Sequence, residues 1–127
     1  MAKVIGVGGI FWKSKDPKDL LQWYVDVLGL QLEPWGGGVL RPEAMAAHPG
    51  AATVFSPFKQ DTTYFEPSTK DFMINLAVDD LEGVLASCAK HGVEAKRSDD
   101  ESMGKFAHIM DPEGTRIELW EPKPMEG

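Results

Sequence analysis

The stretch MINLAVDDLEGVLASCAKHG, residues 73–92, combines a short strand with a capped helix. Residues 73–78 alternate between two sets of side chains, which is the period-two pattern of a strand with one buried face. Asp80 stands where a helix N-cap is expected, and apolar residues then recur at helical spacing until Gly92. The stretch therefore predicts a strand followed directly by a helix over residues 80–91.

A second copy of this pattern occurs 64 residues earlier in the chain. Residues 4–14 are apolar and rich in β-formers, and Asp16 and Pro17 then provide an N-cap and a first helical residue. Leucine, tyrosine and valine recur at helical spacing until Gly29, which predicts a helix over residues 17–28. This recurrence indicates an internal duplication. The alternative is an accidental repeat, because strand–helix units are common in α+β proteins.

Three β-like segments follow each predicted helix, separated by turns that contain glycine or proline. The segments are residues 31–35, 39–41 and 53–58 in the first copy, and 93–96, 105–110 and 116–121 in the second. The predicted fold class is α+β, with tandem βαβββ modules at about 4–58 and 73–121. Eight strands would form a curved, cup-like mixed sheet with the helices outside. Residues 61–71 are expected to link the modules, and residues 122–127 to form a short extension.

Composition limits the kind of protein this can be. A chain of 127 residues suits one domain with its own core. The formal net charge of −7 argues against a nucleic-acid partner, because phosphate binding requires clustered lysine and arginine. No apolar run approaches the ~20 residues that cross a bilayer, so we expect no membrane partner. The single cysteine, Cys88, and an amino terminus without a signal sequence predict a cytoplasmic location.

Three segments of the chain carry a more specific signal. They are IFWKSKDPKDLLQWYVDVLGL at 10–30, MINLAVDDL at 73–81 and MDPEGTRIELWE at 110–121. In this order they resemble the vicinal oxygen chelate superfamily, which includes glyoxalase I, extradiol dioxygenases and bleomycin resistance proteins. The resemblance implies paired βαβββ modules whose sheet forms a half-open cup around one divalent metal ion. It also leads us to expect a homodimer.

The resemblance implies four metal-ligand positions, on the first and last strands of each module. In this sequence they fall on Gly9, Phe55, Met73 and Glu118. Only Glu118 can bind a hard or borderline dication, since glycine and phenylalanine offer no donor and a thioether prefers soft metals. A catalytic zinc site normally has three protein ligands. We therefore predict no metal cofactor at these positions; a divalent metal held by other ligands is the alternative.

Strand alternation predicts which side chains face the cup. Ile117 and Leu119 are expected in the core, which turns Glu118 and its neighbour His108 towards the cup. We predict that His108 and Glu118 are the catalytic residues and form an acid–base pair. A purely structural ion pair is the alternative for Glu118. The predicted substrate-binding residues are Phe11, Lys13, Phe55, Met73, Asn75 and Trp120.

An apolar cup with a few polar groups is typical of a small-molecule site. We therefore predict a glyoxalase-like protein that binds a small organic molecule, has a degenerate metal site, and could act as a metal-independent enzyme. A divalent-metal-dependent lyase or dioxygenase is the alternative, and a non-catalytic interaction module is the second. His108 and Glu118 should face one shared cavity. The side chains expected to line that cavity are Phe11, Phe55, Met73 and Trp120.

Overall fold

The described part of the protein, residues 2–100 and 102–123, contains three helices and one four-stranded sheet. The structure is a computed structural model. In chain order the elements are α1 (Pro17–Leu28), α2 (Pro42–Ala46), β1 (Ile74–Ala77), α3 (Leu81–Lys90), β2 (Lys96–Arg97), β3 (Gly104–Met110) and β4 (Arg116–Pro122). Of the predicted extension, Pro122 ends β4, whereas residues 124–127 lie outside the described part. Within the described residues, no helix combines the length and the apolarity needed to cross a lipid bilayer.

The two long helices begin and end where the sequence predicts, to within one residue. α1 begins after Asp16, whose side chain accepts a hydrogen bond from the Asp19 amide at 3.1 Å. Gly29 ends it with a φ of 74°, a left-handed conformation that glycine adopts easily because it lacks a Cβ. α3 begins after Asp80, which accepts a hydrogen bond from the Gly83 amide at 3.2 Å. The capping residues therefore determine where both helices begin and where α1 ends.

The second half of the chain forms a complete βαβββ unit. Its sheet has the order β1–β4–β3–β2, in which β4 lies parallel to β1 and antiparallel to β3. The short strand β2 pairs antiparallel with the other edge of β3. Helices α1 and α3 contact each other, and α3 contacts β3 and β4. The predicted α+β class, with a mixed sheet and helices packed against it, is confirmed.

The core lies between the helices and the sheet face that alternation predicts. Ile117 and Leu119 on β4 are fully buried, and their partners on β3, Ile109 and Ala107, are buried beside them. The other members of this cluster are Leu20, Tyr24, Val27, Ile74, Leu81 and Cys88. Because side chains alternate along a strand, the remaining residues form the opposite face, which we call the site face. The site face carries Asn75, Phe106, His108, Met110, Arg116, Glu118 and Trp120.

The turn between β3 and β4 is tied to α1 by one buried carboxylate. Asp111 accepts a hydrogen bond from the Tyr24 hydroxyl at 2.7 Å. Its other oxygen accepts from the amides of Glu113 and Thr115, each at 2.9 Å. Asp111 and Thr115 are both buried. The DPEG turn of the sequence therefore positions helix α1 on the end of the sheet as well as reversing the chain.

The first half of the chain does not form the four strands predicted for it, so the described part has four strands rather than eight. Its described β-pairing is a single antiparallel bridge between Leu32 and Gly38. A strand needs a hydrogen-bonded neighbour, and no bond between main-chain groups is described for residues 4–14 or 52–58. An apolar pattern does not supply that neighbour by itself. The division into modules at about 4–58 and 73–121 stays a prediction.

Candidate functional site

His108 and Glu118 form a hydrogen-bonded pair on the site face, across the β3–β4 hairpin. They lie opposite each other in the strand register, and His108 Nε2 is 2.7 Å from Glu118 Oε2. Each residue is 8% exposed. An ionised carboxylate can only accept hydrogen bonds, so the imidazole Nε2 carries the hydrogen of this one. The predicted proximity of the two side chains is confirmed, and their catalytic role stays a prediction.

Asn75 holds the second oxygen of this carboxylate. The parallel pairing of β1 with β4 puts Asn75 beside Glu118, and Asn75 Nδ2 donates to Glu118 Oε1 at 2.8 Å. Each carboxylate oxygen thus has a donor from a neighbouring strand, β1 on one side and β3 on the other. Such donors replace the water that a buried charge would otherwise lose. Asn75, which the sequence predicts to contact substrate, orients Glu118 in this structure.

Tyr64 brings a third donor from the segment that the sequence predicts to be only a linker. Its hydroxyl donates to Glu118 Oε2 at 2.5 Å and lies 3.2 Å from His108 Nε2. Its ring meets the imidazole edge-on, with the ring centroids 5.5 Å apart. The Arg116 guanidinium lies over the ring, 5.4 Å from its centroid. Sequence reasoning missed Tyr64, which completes a cluster of four polar side chains: Tyr64, Asn75, His108 and Glu118.

The hydrogen bonds around Glu118 outweigh the effect of its burial. Burial alone would raise the pKa of this carboxyl group, but donation from Tyr64, Asn75 and His108 holds it below its ordinary value. The opposite holds for the phenol. Burial, followed by the hydrogen bond to Glu118 and its charge, raises the pKa of Tyr64 to about 12, against an opposing effect of Arg116. At neutral pH the cluster therefore holds an anionic carboxylate and a neutral phenol.

We expect neither tyrosine of the folded protein to ionise near pH 10, the ordinary value for a phenol. The chain has two tyrosines. Burial and Glu118 raise the pKa of Tyr64 to about 12, and burial and Asp111 raise the pKa of Tyr24 as well. The folded state therefore keeps protons that the unfolded chain loses, so stability should fall as the pH rises from about 10 towards 12. Spectrophotometric titration of tyrosinate measures both effects.

The variant Tyr24→Phe isolates the titration of Tyr64, and the denatured variant supplies its reference. The two titrations should be clearly separated, with the folded protein ionising at the higher pH. If the single remaining tyrosine ionised at the same pH in both states, the contact between Tyr64 and Glu118 would be wrong.

The other predicted substrate-binding residues do not gather into one cavity with the cluster. Phe11 and Phe55 are 93% and 90% exposed, because the strands expected to carry them do not form. Lys13 is exposed as well, and Met73 is half-buried just before β1. Trp120 is buried and lies on the site face, as predicted. The expected cavity lined by Phe11, Phe55, Met73 and Trp120 is therefore a wrong prediction.

The surroundings of the cluster differ along the site face. On one side a cleft of about 530 Å³ opens, and its lining includes His108 and Arg116 together with Trp23 of α1 and residues 92–96 and 109–112. Its volume is within the range that holds drug-sized organic molecules. On the other side the rings of Phe106 and Trp120 stack, with their centroids 6.1 Å apart. The cluster thus lies between an open cleft and an aromatic wall.

The donor set does not fit the metal site that the resemblance implies. Of the four positions, Gly9 and Phe55 provide no donor and Met73 provides only a thioether. Both oxygens of the remaining ligand, Glu118, already accept hydrogen bonds from protein donors. Among the described residues, no group of three or more histidine, cysteine, aspartate or glutamate side chains could hold a metal ion. The side chains present therefore do not form a family-type metal site.

Comparison with known proteins tests the resemblance. The model of the glyoxalase-like domain family matches residues 9–120. No curated protein matches the sequence. Among solved structures, the chain is similar to a Bacillus anthracis protein assigned to the glyoxalase family, with 16% identity over 87% of this chain and 88% of the other and a TM-score of 0.52.

Two further structures are similar over a comparable length, each with a TM-score of 0.48. One is TnmS3, an antibiotic binding protein from Streptomyces sp. CB03234, at 18% identity over 87% of this chain and 88% of that one. The other is a member of the glyoxalase/bleomycin resistance protein/dioxygenase superfamily from Sphaerobacter thermophilus DSM 20745, at 20% identity over 85% and 90%. At such identities a structural likeness bears on the fold alone.

The family model spans most of the chain, including both capped helices, the cluster and the DPEG turn. The match therefore covers the first two segments that carry the resemblance, and the third as far as Trp120. It follows that the chain belongs to the glyoxalase-like domain family, within the vicinal oxygen chelate superfamily.

Proposed function

We propose that this protein binds a small organic molecule at the site face and that the binding needs no metal ion. The observation that carries the proposal is the buried pair of His108 and Glu118. A charge buried on a sheet face away from the hydrophobic core is costly unless it is paired. Sparse polar groups beside an apolar wall are also the usual composition of a ligand site. The adjoining cleft of about 530 Å³ offers room for such a molecule.

The pair is also suited to acid–base chemistry. Glu118 is an anion at neutral pH because the surrounding donors lower its pKa. His108 Nε2 lies 2.7 Å from it, and a histidine paired with a carboxylate is a common general acid–base unit. Asn75 keeps the carboxylate oriented through its bond of 2.8 Å. The proposal therefore includes a metal-independent enzyme in which His108 and Glu118 exchange a proton with the ligand.

A metal-dependent lyase or dioxygenase is the competing function, and the donor set argues against it. The metal content of the purified protein distinguishes the two functions. Protein purified without a histidine tag should contain far less than one equivalent of nickel, zinc, manganese or iron. Its ligand binding should survive treatment with a chelator. One equivalent of metal, lost together with ligand binding on chelation, would favour the competing function.

Replacing Glu118 by glutamine should change the pH dependence of ligand binding. Glutamine keeps the shape of the side chain but removes the charge that titrates beside His108, Tyr64 and Arg116. Because the pKa of Glu118 is lower in the folded protein than in the unfolded chain, its charge stabilises the fold at pH values above the ordinary carboxyl pKa. This stabilisation is lost as the pH falls through the pKa of the folded state. We therefore expect the binding profile to flatten on the acidic side. A thermal-shift screen of small organic molecules supplies the ligand, and calorimetric titration at several pH values measures the profile.

The matched control is Glu82→Gln, which removes an exposed carboxylate on α3 paired with Arg97. This variant should keep the wild-type binding profile. A purely structural role for Glu118 makes a different prediction: Glu118→Gln would lower the melting temperature and leave the binding profile unchanged. That result would contradict the proposed function.

A further inference from the structure

The side chain of Tyr64 makes the kinds of contact on the site face that an aromatic ligand would make. Its hydroxyl donates to Glu118 Oε2 at 2.5 Å, and its edge meets the His108 ring. The Arg116 guanidinium lies over the ring at 5.4 Å, and the Phe58 ring stacks with it at a centroid distance of 5.7 Å. The hydroxyl group has a carboxylate acceptor, the edge of the ring has an imidazole, and the ring faces have a guanidinium group and a phenyl ring. The site face therefore presents a complete set of contacts for one phenol.

The chain around Tyr64 is attached to the sheet by three bonds just downstream of it and, upstream, by His48, whose Nε2 lies 3.3 Å from the carbonyl oxygen of Pro122. Arg116 donates to the Glu66 carbonyl, Ser68 Oγ donates to Gly114 O at 2.6 Å, and Lys70 Nζ donates to Thr115 Oγ1 at 2.7 Å. Between residues 59 and 65 the described main-chain bonds are local turns. Tyr64 itself is 41% exposed. The phenol can therefore leave the cluster without breaking any pairing of the sheet.

We propose that the ligand of this protein carries a phenolic hydroxyl group, which takes the place of the Tyr64 hydroxyl on Glu118. This inference rests on the proposed function and specifies its ligand class. An aromatic ring with a hydroxyl group would reproduce the contacts to Glu118, His108 and Arg116 that the departing side chain gives up. The rest of the molecule would extend into the cleft, because His108 and Arg116 line both the cleft and the ring of Tyr64.

The electrostatics of the cluster support a neutral hydroxyl donor over an anionic group or a ring without a donor. Glu118 Oε2 is an anionic acceptor, so a carboxylate or phosphate in this place would meet like charge. Because the pKa of Tyr64 is raised to about 12, the site keeps a phenol protonated at neutral pH. An aromatic ring without a hydroxyl would leave Glu118 Oε2 with one donor fewer in a buried position, which is unfavourable.

Small probes in a Tyr64→Ala variant test the inference. The substitution empties the position of the ring but keeps Cβ, and 4-methylphenol carries the same hydroxyl-bearing ring with one additional methyl group. Its methyl ether, 4-methylanisole, lacks the donor and carries a methyl group in place of the hydroxyl hydrogen. We expect the phenol to bind this variant roughly 10- to 100-fold more tightly than the ether, as for a hydrogen bond to a charged acceptor. Dissociation constants come from NMR titration, with circular dichroism to check folding.

Three comparison proteins test whether the phenol binds at the position of the Tyr64 ring. Tyr64→Phe keeps a ring in place and should bind 4-methylphenol much more weakly than Tyr64→Ala. The wild type should also bind it more weakly, because Tyr64 competes. The double variant Tyr64→Ala/Glu118→Gln should lose most of the preference for phenol over ether. If Tyr64→Ala does not fold, the wild type still gives a test: high concentrations of the phenol, and not of the ether, should shift the NMR signals of the Tyr64 and His108 rings.

The inference is overturned if phenol and ether bind Tyr64→Ala alike, if neither binds, or if the wild type binds the phenol as tightly as the variant. Other outcomes distinguish a failure of this inference from a failure of the proposed function. Should a screened ligand bind in a manner that depends on Glu118 while the phenol preference is absent, the proposed function stands and the ligand class is wrong. Should Tyr64→Ala prefer the phenol while the wild type binds no organic molecule, the phenol contacts are supported and the proposed function is wrong.

Discussion

Replacing Asp111 by alanine is expected to destabilise the protein by roughly 3–5 kcal/mol. The substitution removes an acceptor that serves the Tyr24 hydroxyl at 2.7 Å and the amides of Glu113 and Thr115 at 2.9 Å. Tyr24 and Thr115 are buried, so their donors would lose a partner without gaining water. Urea denaturation followed by circular dichroism measures the loss, which should appear as a lower midpoint with little change of slope.

Two further variants show whether the loss comes from this network. Tyr24→Phe alone should cost roughly 1–2 kcal/mol, and the double variant with Asp111→Ala should cost less than the sum, because both changes break the same bond. Asp100→Ala is the matched control, since Asp100 accepts the Ser102 and Met103 amides in an exposed turn. It should have a much smaller effect. Equal losses for Asp111→Ala and Asp100→Ala would show that burial of the Asp111 network is not what stabilises the turn.

Replacing Leu119 by alanine should cost roughly 2–5 kcal/mol. Leu119 is 0% exposed and lies at the centre of β4, with Leu76 beside it on β1 and Ala107 on β3. Its side chain points at the helices, so truncation leaves a cavity in the core that rigid strands on both sides cannot close. The free energy of unfolding from urea titration gives the value.

The matched control for this truncation is Leu40→Ala. Leu40 is 74% exposed, so the same chemical change removes little buried surface. Its stability should remain within about 0.5 kcal/mol of the wild type. A small loss for Leu119→Ala, close to that of Leu40→Ala, would mean that the predicted face of β4 does not pack on the helices.

The parts of the fold that were predictable from sequence are those set by neighbours in the chain. Asp16, Asp80 and Gly29 act on amides within a few residues, so their presence alone marks the helix ends. The DPEG turn joins two strands with clear alternation, so the local pattern predicts that His108 and Glu118 are near neighbours, whereas their direct pairing is a matter of register that the structure shows. In each case the contact spans ten residues or fewer.

What the sequence could not show depends on contacts between distant segments. Counting along strands assigns Phe11 and Phe55 to a cavity, but a strand forms only where a partner main chain meets it. Alternation puts Asn75 on the site face, whereas its bond to Glu118 depends on the parallel register of β1 and β4. The sequence pattern puts Tyr64 in a linker because nothing local marks it. The available clue is composition: one of only two tyrosines lies between Phe58 and Phe65 in the sequence.

We expect the contacts of the cluster to form during folding in the order of their separation along the chain. His108 and Glu118 are separated by 10 residues, whereas Asn75 and Tyr64 reach Glu118 across 43 and 54 residues. Hairpins form in microseconds, and contacts between distant segments form more slowly because closing a longer loop costs more entropy. We therefore expect the pair of His108 and Glu118 to form early, before β1 pairs with the other edge of β4. During that interval an unpaired strand edge is available to other chains, so refolding yield should be limited by β1 docking and fall at high protein concentration.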